Sequence, residues 1–193
     1  MNRFALFTDV SLNPRLKLGV GAFLLVPASF LEVPPQGIER SEINKYLMLQ
    51  RIENTSSTRL EVQTVLLGLE NYQKLIKASG TGKLRIYTDS QCVAGLLKRR
   101  PALEVNDFLS KKTNSLLRNA VLYKRFYELF DELGFEIIKV SGHSRAGSRD
   151  TIDCIFSSID VKARKELKLW MNLLKTGVEQ IKIKRASGTM VGG

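Results

Sequence analysis

Hydrophobic and polar positions divide the chain into short apolar runs and longer segments of helical spacing. Residues 3–10 (RFALFTDV) form an apolar, β-favouring run ending in an acid, and residues 19–26 (GVGAFLLV) read as a second strand. Between them Ser11-Leu12-Asn13-Pro14 supplies turn chemistry. Residues 27–44, with Pro34-Pro35 and Gly37, read as a long loop, after which residues 45–52 (KYLMLQRI) have the content of a third strand. Three strands in succession suit an antiparallel meander. Residues 58–76 then take helical spacing through Leu60, Val65, Leu69 and Tyr72, with Asn71, Lys74 and Lys77 for the polar side, and Gly80 and Gly82 end the helix.

The second half changes rhythm. Residues 83–88 (KLRIYT) form a short strand that meets Asp89, and residues 93–97 begin a helix. Residues 98–112 are basic and interrupted by proline. Residues 116–133 have strong helical spacing in Leu117, Val121, Tyr123, Phe126, Tyr127 and Phe130, and residues 135–140 (FEIIKV) give a fifth strand. The loop 141–149 holds the sole histidine, His143, and a helical segment runs from about Asp150 towards Leu174, with an interruption expected near Ser157-Ser158. Residues 186–193 are small and glycine-rich, an end expected to fray. Strand, helix and strand in alternation add parallel pairing to the meander, so the class is α/β. A length of 193 residues suits about one domain, taken as residues 1–165, followed by a helical, basic extension over 166–193.

Composition narrows the function classes. With 44% hydrophobic and 25% charged residues the chain is an ordinary globular sequence. The longest apolar stretch, residues 19–31, carries Pro27 and Ser29 and falls short of the roughly 18 residues of a membrane span. The N-terminal run meets Asp9 before a signal-peptide core can form, so a cytoplasmic protein is expected, with no membrane partner. Cys92, Cys154 and His143 leave a Cys/His zinc site one ligand short of four. The formal charge of +11 attracts polyanions, nucleic acid among them.

Candidate chemistry lies in a few polar residues. Asp9 and Asp89 each follow an apolar strand, where a carboxylate is costly to bury without compensation. Both also suit turns or caps, Asp89 especially, since Ser90-Gln91 and a helix follow. Glu61 heads the row Glu61, Val65, Gly68, Tyr72 on a largely apolar helix face, yet Thr58-Arg59-Leu60-Glu61 also fits a capping box. His143, in Ser-Gly-His-Ser-Arg-Ala-Gly, reads as an exposed titrating group, and Asp153 by default as a solvated helix acid.

Taken together, FTDVSLNP around Asp9, SSTRLE ending in Glu61, YTDSQ around Asp89, VSGHSRAG around His143, and Asp153 resemble the type I ribonuclease H family in order, spacing and context, over nearly all of residues 1–160. The resemblance implies the ribonuclease H-like fold: a five-stranded mixed sheet, three antiparallel strands then two parallel ones, with helices on both faces. It implies that Asp9, Glu61, Asp89 and Asp153 hold two Mg²⁺ ions, with Mn²⁺ a possible substitute, and that His143 assists as a proton shuttle. It also implies that Ser57, Thr58 and Gln91 line the minor groove of an RNA–DNA hybrid while Asn13 and Ser56 hold the DNA phosphate, with Ser11 a further nucleic-acid-binding residue. Lys98, Arg99, Arg100, Lys111, Lys112 and Arg118 fall where the family carries a basic handle. Where the family often has Asn, Asn and Gly, this chain has Ser57, Thr58 and Val10.

Elementary electrostatics points the same way. Four gathered carboxylates repel unless cations neutralise them, and an all-oxygen donor set selects Mg²⁺ or Mn²⁺. The expected activity is hydrolysis of the RNA strand of a hybrid by a monomer, leaving 5′-phosphate and 3′-hydroxyl ends. A non-catalytic nucleic-acid-binding module and an integrase-like DNA nuclease remain as alternatives on the same fold.

Overall fold

The computed structural model describes residues 2–80, 82–140 and 150–187. Five strands form one sheet in the order β3-β2-β1-β4-β5. β1 (Asn2–Asn13) and β2 (Leu18–Pro27) pair antiparallel, as do β2 and β3 (Leu47–Ile52). β4 (Gly82–Thr88) pairs parallel with β1 and with β5 (Glu136–Lys139). This is the expected mixed sheet.

Alternation along the strands sends side chains to two separate cores. Leu6, Phe23, Leu84 and Ile86 pack beneath α2 (Ser57–Ser79), α4 (Leu96–Val105) and α5 (Ala120–Leu133). Ala5, Phe7, Val20, Ala22, Leu24 and Val26 face α1 (Arg40–Tyr46) and α6 (Thr151–Ser187). The row Ile155, Ile159, Ala163, Leu167, Trp170 seats α6 on its face of the sheet at intervals of three and four residues.

Several details depart from the sequence reading. The segment 27–44 is not wholly irregular: two 3₁₀ turns, Ala28–Glu32 and Pro35–Gly37, precede α1, which extends to Tyr46 and delays β3 to Leu47. Short polar helices of this kind carry little periodic signal. α3 (Gln91–Ala94) and α4 follow one another almost without a break, and α4 continues to Val105 despite Pro101, so much of the basic stretch is helical. α5 starts at Ala120 rather than 116 and ends on Gly134, whose φ of 60° is the left-handed cap conformation glycine adopts without penalty. α6 is not interrupted at Ser157-Ser158, where the Ser158 hydroxyl donates to the Cys154 carbonyl one turn back. It also crosses residue 165 unbroken, and Leu167 and Trp170 belong to the domain core. Among the described residues no helix is long and apolar enough to cross a membrane.

One close approach sets the height of α2 above the sheet. A Cβ at Gly21 would lie 2.1 Å from the Thr64 hydroxyl, and one at Gly19 2.5 Å from Leu60. Thr64 is buried and its hydroxyl is committed to the Leu60 carbonyl at 2.8 Å, so it cannot swing away without abandoning a buried bond. Gly21→Ala is therefore expected to cost about 1–3 kcal/mol by overpacking, lowering the melting temperature by roughly 2–4 °C per kcal/mol. Thermal denaturation with and without the substitution checks this, and an unchanged melting curve would refute the tight contact.

Candidate active site

The β1–β4 ladder runs from Asn2 opposite Gly82 to Thr8 opposite Thr88 and then stops, because β4 ends while β1 continues to Asn13. A notch opens at that point, at the carboxyl ends of the parallel strands and beside the switch from parallel to antiparallel pairing, where open α/β sheets place their ligands. Asp9 is the next residue of β1 and Asp89 follows β4. Glu61 reaches them from the first turns of α2. All three line one cavity of about 10 Å³ together with Thr8, Val10, Thr88 and Ser90, a space near the size of a single water.

The cap readings of these acids separate cleanly. The N-cap of α2 is Ser56, which accepts a hydrogen bond from Arg59 N at 3.4 Å, so Glu61 is the fifth helical residue and serves no capping box. Its Oε1 accepts from the Ser57 hydroxyl at 3.1 Å and its Oε2 from the Ser90 hydroxyl at 2.6 Å. Ser90 in turn is the N-cap of α3, accepting from Val93 N at 3.1 Å, which relieves Asp89 of that task. Sequence reading passed over Ser90 as an orienting residue, since its partner lies 29 positions away in another element.

A capping box does exist, but at Asp153. Asp153 N donates to Asp150 Oδ1 at 2.8 Å, and Asp150 N donates back to Asp153 Oδ2 at 3.4 Å. Asp153 is thus engaged at the very start of α6, and neither it nor Asp160 is among the residues lining the small cavity. The acid of α6 that acts on Asp9 is Asp160, two turns further on, together with Arg164. Phe156 packs its ring edge against Phe7, and from that contact Asp160 lies one helical turn ahead while Asp9 lies two strand residues ahead on the same face. Both steps are about 6 Å, so the two acids come level. Asp160 follows the buried Ile159, a position the apolar row of α6 marks out.

Burial is the main influence on Asp9, pushing its pKa from the ordinary 3.8 up to about 7. The Val10 amide, 2.7 Å from Oδ1, opposes the shift, the carboxylates of Asp89 and Asp160 add to it, and Arg164 works against it. All-carboxylate donors suit a hard divalent cation. Among the described residues, however, no three acids are gathered tightly enough to form a ready-made cage, since Asp9 and Glu61 turn to protein hydrogen-bond partners.

Other sequence candidates have varied fates. Asn13 builds the β1–β2 turn, accepting from Leu16 N at 3.0 Å and contacting Met171 Sδ at 3.3 Å, which leaves its amide occupied. Ser56 and Ser57 are the cap and the Glu61 partner just described. Ser11 and Thr58 are half-buried, and Gln91 is exposed on α3. Within the basic cluster, Arg100 is clamped by Asp131 and Glu104 and lies 5.1 Å over the Tyr127 ring. Arg99 donates to the Cys92 carbonyl at 2.8 Å and covers Tyr123. These two side chains fasten α4 to its surroundings. Lys98, Lys111, Lys112 and Arg118 are exposed, and the lysines at 111 and 112 border a cleft of about 420 Å³ floored by Leu103, Leu109 and Leu117. His143 lies outside the described residues.

No protein-family model matches the chain, and no curated protein is similar to it in sequence. Solved structures are similar in shape. The foamy viral protease-reverse transcriptase in complex with double-stranded DNA superposes with a TM-score of 0.53 at 14% identity, covering 80% of this chain and 90% of that one. The fold is ribonuclease H-like. The same viral enzyme in complex with an RNA/DNA hybrid gives a TM-score of 0.50 at 12% identity over 74% of this chain, which spans only 17% of that larger one.

The raised pKa of Asp9 has a definite sign in stability. The folded protein holds a proton that the unfolded chain releases, so this contribution is fully present below about pH 4 and is lost as pH rises through about 7. In EDTA the wild type should melt higher at pH 5 than at pH 8 as far as Asp9 is concerned. Asp9→Asn should remove that difference and melt above wild type at pH 8, by roughly 2–4 °C per kcal/mol recovered. Parallel melting curves at the two pH values decide it; a variant that melts lower at pH 8 contradicts a buried, repelled carboxylate.

Proposed function

We propose that the protein is a divalent-metal-dependent nuclease of the ribonuclease H type I kind that hydrolyses the RNA strand of RNA–DNA hybrids, leaving 5′-phosphate and 3′-hydroxyl ends. The observation that carries this reading is the convergence of Asp9, Glu61 and Asp89, from β1, α2 and the end of β4, on one small cavity at the sheet's switch point. The chemistry of the donor set fits Mg²⁺, with Mn²⁺ as substitute. When bound, two such ions activate water on one side of a phosphodiester and stabilise the leaving 3′ oxygen on the other.

The chain's own residues divide the remaining work. Asp9, Glu61 and Asp89 would hold the ions, and the influence of Asp160 on Asp9 supports it over Asp153 as a fourth carboxylate from α6. The Ser57 and Ser90 hydroxyls keep Glu61 aimed at the notch, where it would serve as a ligand. Lys98, Lys111, Lys112 and Arg118 supply the positive surface that positions a phosphate backbone, a role sequence-independent in character. Ser57, which is bonded to Glu61, and with it Thr58 and Gln91, are assigned the reading of the 2′-hydroxyls of the RNA strand through their hydroxyl and amide groups. His143 is assigned proton transfer near the leaving group on sequence grounds.

Labelled hybrid, RNA duplex and DNA duplex, incubated side by side in Mg²⁺, test the proposal. Cleavage confined to the RNA strand of the hybrid is expected. Cleavage of DNA duplex would favour an integrase-like nuclease, and binding without cleavage a recognition module. Asp9→Asn, Glu61→Gln and Asp160→Asn should each lower turnover by at least about 100-fold with hybrid affinity within a few-fold, whereas Asp153→Ala, which removes the acceptor of the Asp150 amide, should lose helix stability and keep most turnover. The opposite ranking of the two α6 variants would restore Asp153 to the site.

The basic surface yields a separate expectation. Joint neutralisation of Lys98, Lys111 and Lys112 should flatten the slope of log K against log salt by up to about 0.9 per lost phosphate contact, on a B-DNA scale. Arg100→Ala should instead lower the melting temperature and leave the slope unchanged. Fluorescence anisotropy over a salt series distinguishes the two.

A further inference from the structure

We infer that the end of the sheet opposite the notch holds a second binding site, a cavity for a small phosphorylated ligand of the nucleoside monophosphate class. It stands independently of the proposed metal site.

Strand register builds this cavity. In the parallel ladder Arg3 lies opposite Lys83 and Ala5 opposite Arg85, and the next alternate rung, Phe7 opposite Tyr87, belongs to the core beneath α6. Alternation therefore puts all three cations on the α6 face of the sheet. Along β1, Arg3 and Asp9 are about 20 Å apart at roughly 3.3 Å per residue, so the cations lie far from the notch. The cavity they line measures about 510 Å³ and receives no residue from α6; the 3₁₀ turn Ala28–Glu32 borders it on one side, Gly134 and Glu136 on the other. That volume is in the range of small-molecule sites.

Charge decides what such a cavity takes. Arg3 and Lys83 are exposed like charges directly opposite each other, an arrangement that costs a sheet stability. Among the described residues neither makes an ion pair, whereas Arg85 is held by Glu136 at 2.8 Å. A phosphate monoester, with about two negative charges and three acceptor oxygens, satisfies both free cations at once.

The rest of the lining does not suit a polynucleotide track. Glu32 borders the same cavity, paired with neither cation, and Glu136 stands across from it. Carboxylates in these places repel a chain of phosphates but accept hydrogen bonds from ribose hydroxyls. Ala5, Ala28, Leu31 and Tyr87 add apolar surface for a base. Cations, a carboxylate acceptor and an apolar wall in one cavity match the three parts of a nucleotide.

Equilibrium dialysis of the full chain with adenosine 5′-monophosphate, in EDTA so that no metal bridges a phosphate to the notch, tests the inference. Binding with a Kd below about 1 mM is expected. Arg3→Gln combined with Lys83→Gln should weaken it at least about ten-fold, the loss of one charge-assisted hydrogen bond or more, with a melting temperature no lower than wild type because opposed like charges are gone. Glu32→Ala should weaken adenosine 5′-monophosphate and leave inorganic phosphate bound no less tightly, since only the nucleoside loses an acceptor. Absence of binding, binding that survives the double substitution, or inorganic phosphate bound as tightly as the nucleotide overturns the inference. So does displacement of the nucleotide by a single-stranded oligonucleotide lacking a terminal phosphate, which would make the cavity part of a polynucleotide surface. None of these results bears on the nuclease reading.

Discussion

The unequal length of two parallel neighbours governs the rest of the structure. β1 runs five residues past the last rung it shares with β4, and the ladder's end at Thr8 and Thr88 leaves the flank of β1 without a strand partner. Backbone and side-chain polar groups at such an end need other partners. Thr88 illustrates the solution, its hydroxyl accepting from Ser90 N and its carbonyl from Val140 N. The polar lining that follows from this termination is also what makes the notch able to receive charge.

Placing carboxylates there required helices at fixed heights on both faces. On one side the glycines of β2 let α2 settle onto the sheet, bringing Glu61 within reach of Ser90. On the other, a regular apolar row and the Phe156–Phe7 contact fix how far α6 has advanced when it passes Asp9. A shift of one turn along α2 would carry Glu61 away from Ser90 and out of the notch. Polar contacts such as Thr151 to the Val33 carbonyl and Arg51 to Glu166 add to the register that packing sets.

Electrostatically the notch is unfavourable in isolation. Burial and like charges push Asp9 towards its protonated form against the opposing Val10 amide, while Glu61 is held by the Ser57 and Ser90 hydroxyls. Residues that violate local rules in this manner are a mark of function. The basic stretch shows the converse: Arg99 and Arg100, the most conspicuous charges in the sequence, stack on Tyr123 and Tyr127 and serve packing.

The sequence by itself determined the strands, their order of appearance, the mixed sheet and the acids at Asp9, Glu61 and Asp89, because alternation and apolar spacing are local properties and an acid ending an apolar run is visible without coordinates. It could not decide between caps and ligands. The capping-box pattern occurs at both Glu61 and Asp153 in loose form, and which one closes depends on where each helix begins: at Ser57 after the Ser56 cap, and at Thr151 after Asp150. Nor could spacing choose between Asp153 and Asp160, which share a helix face seven residues apart. Only the docking of α6 on β1 shows that the charge of Asp160 is felt at Asp9, since proximity across elements is set by the register of packed side chains and has no signature along the chain. The same reason kept Ser90 from view: it is ordinary in its own segment and acquires a role through the Glu61 carboxylate that the fold places beside it.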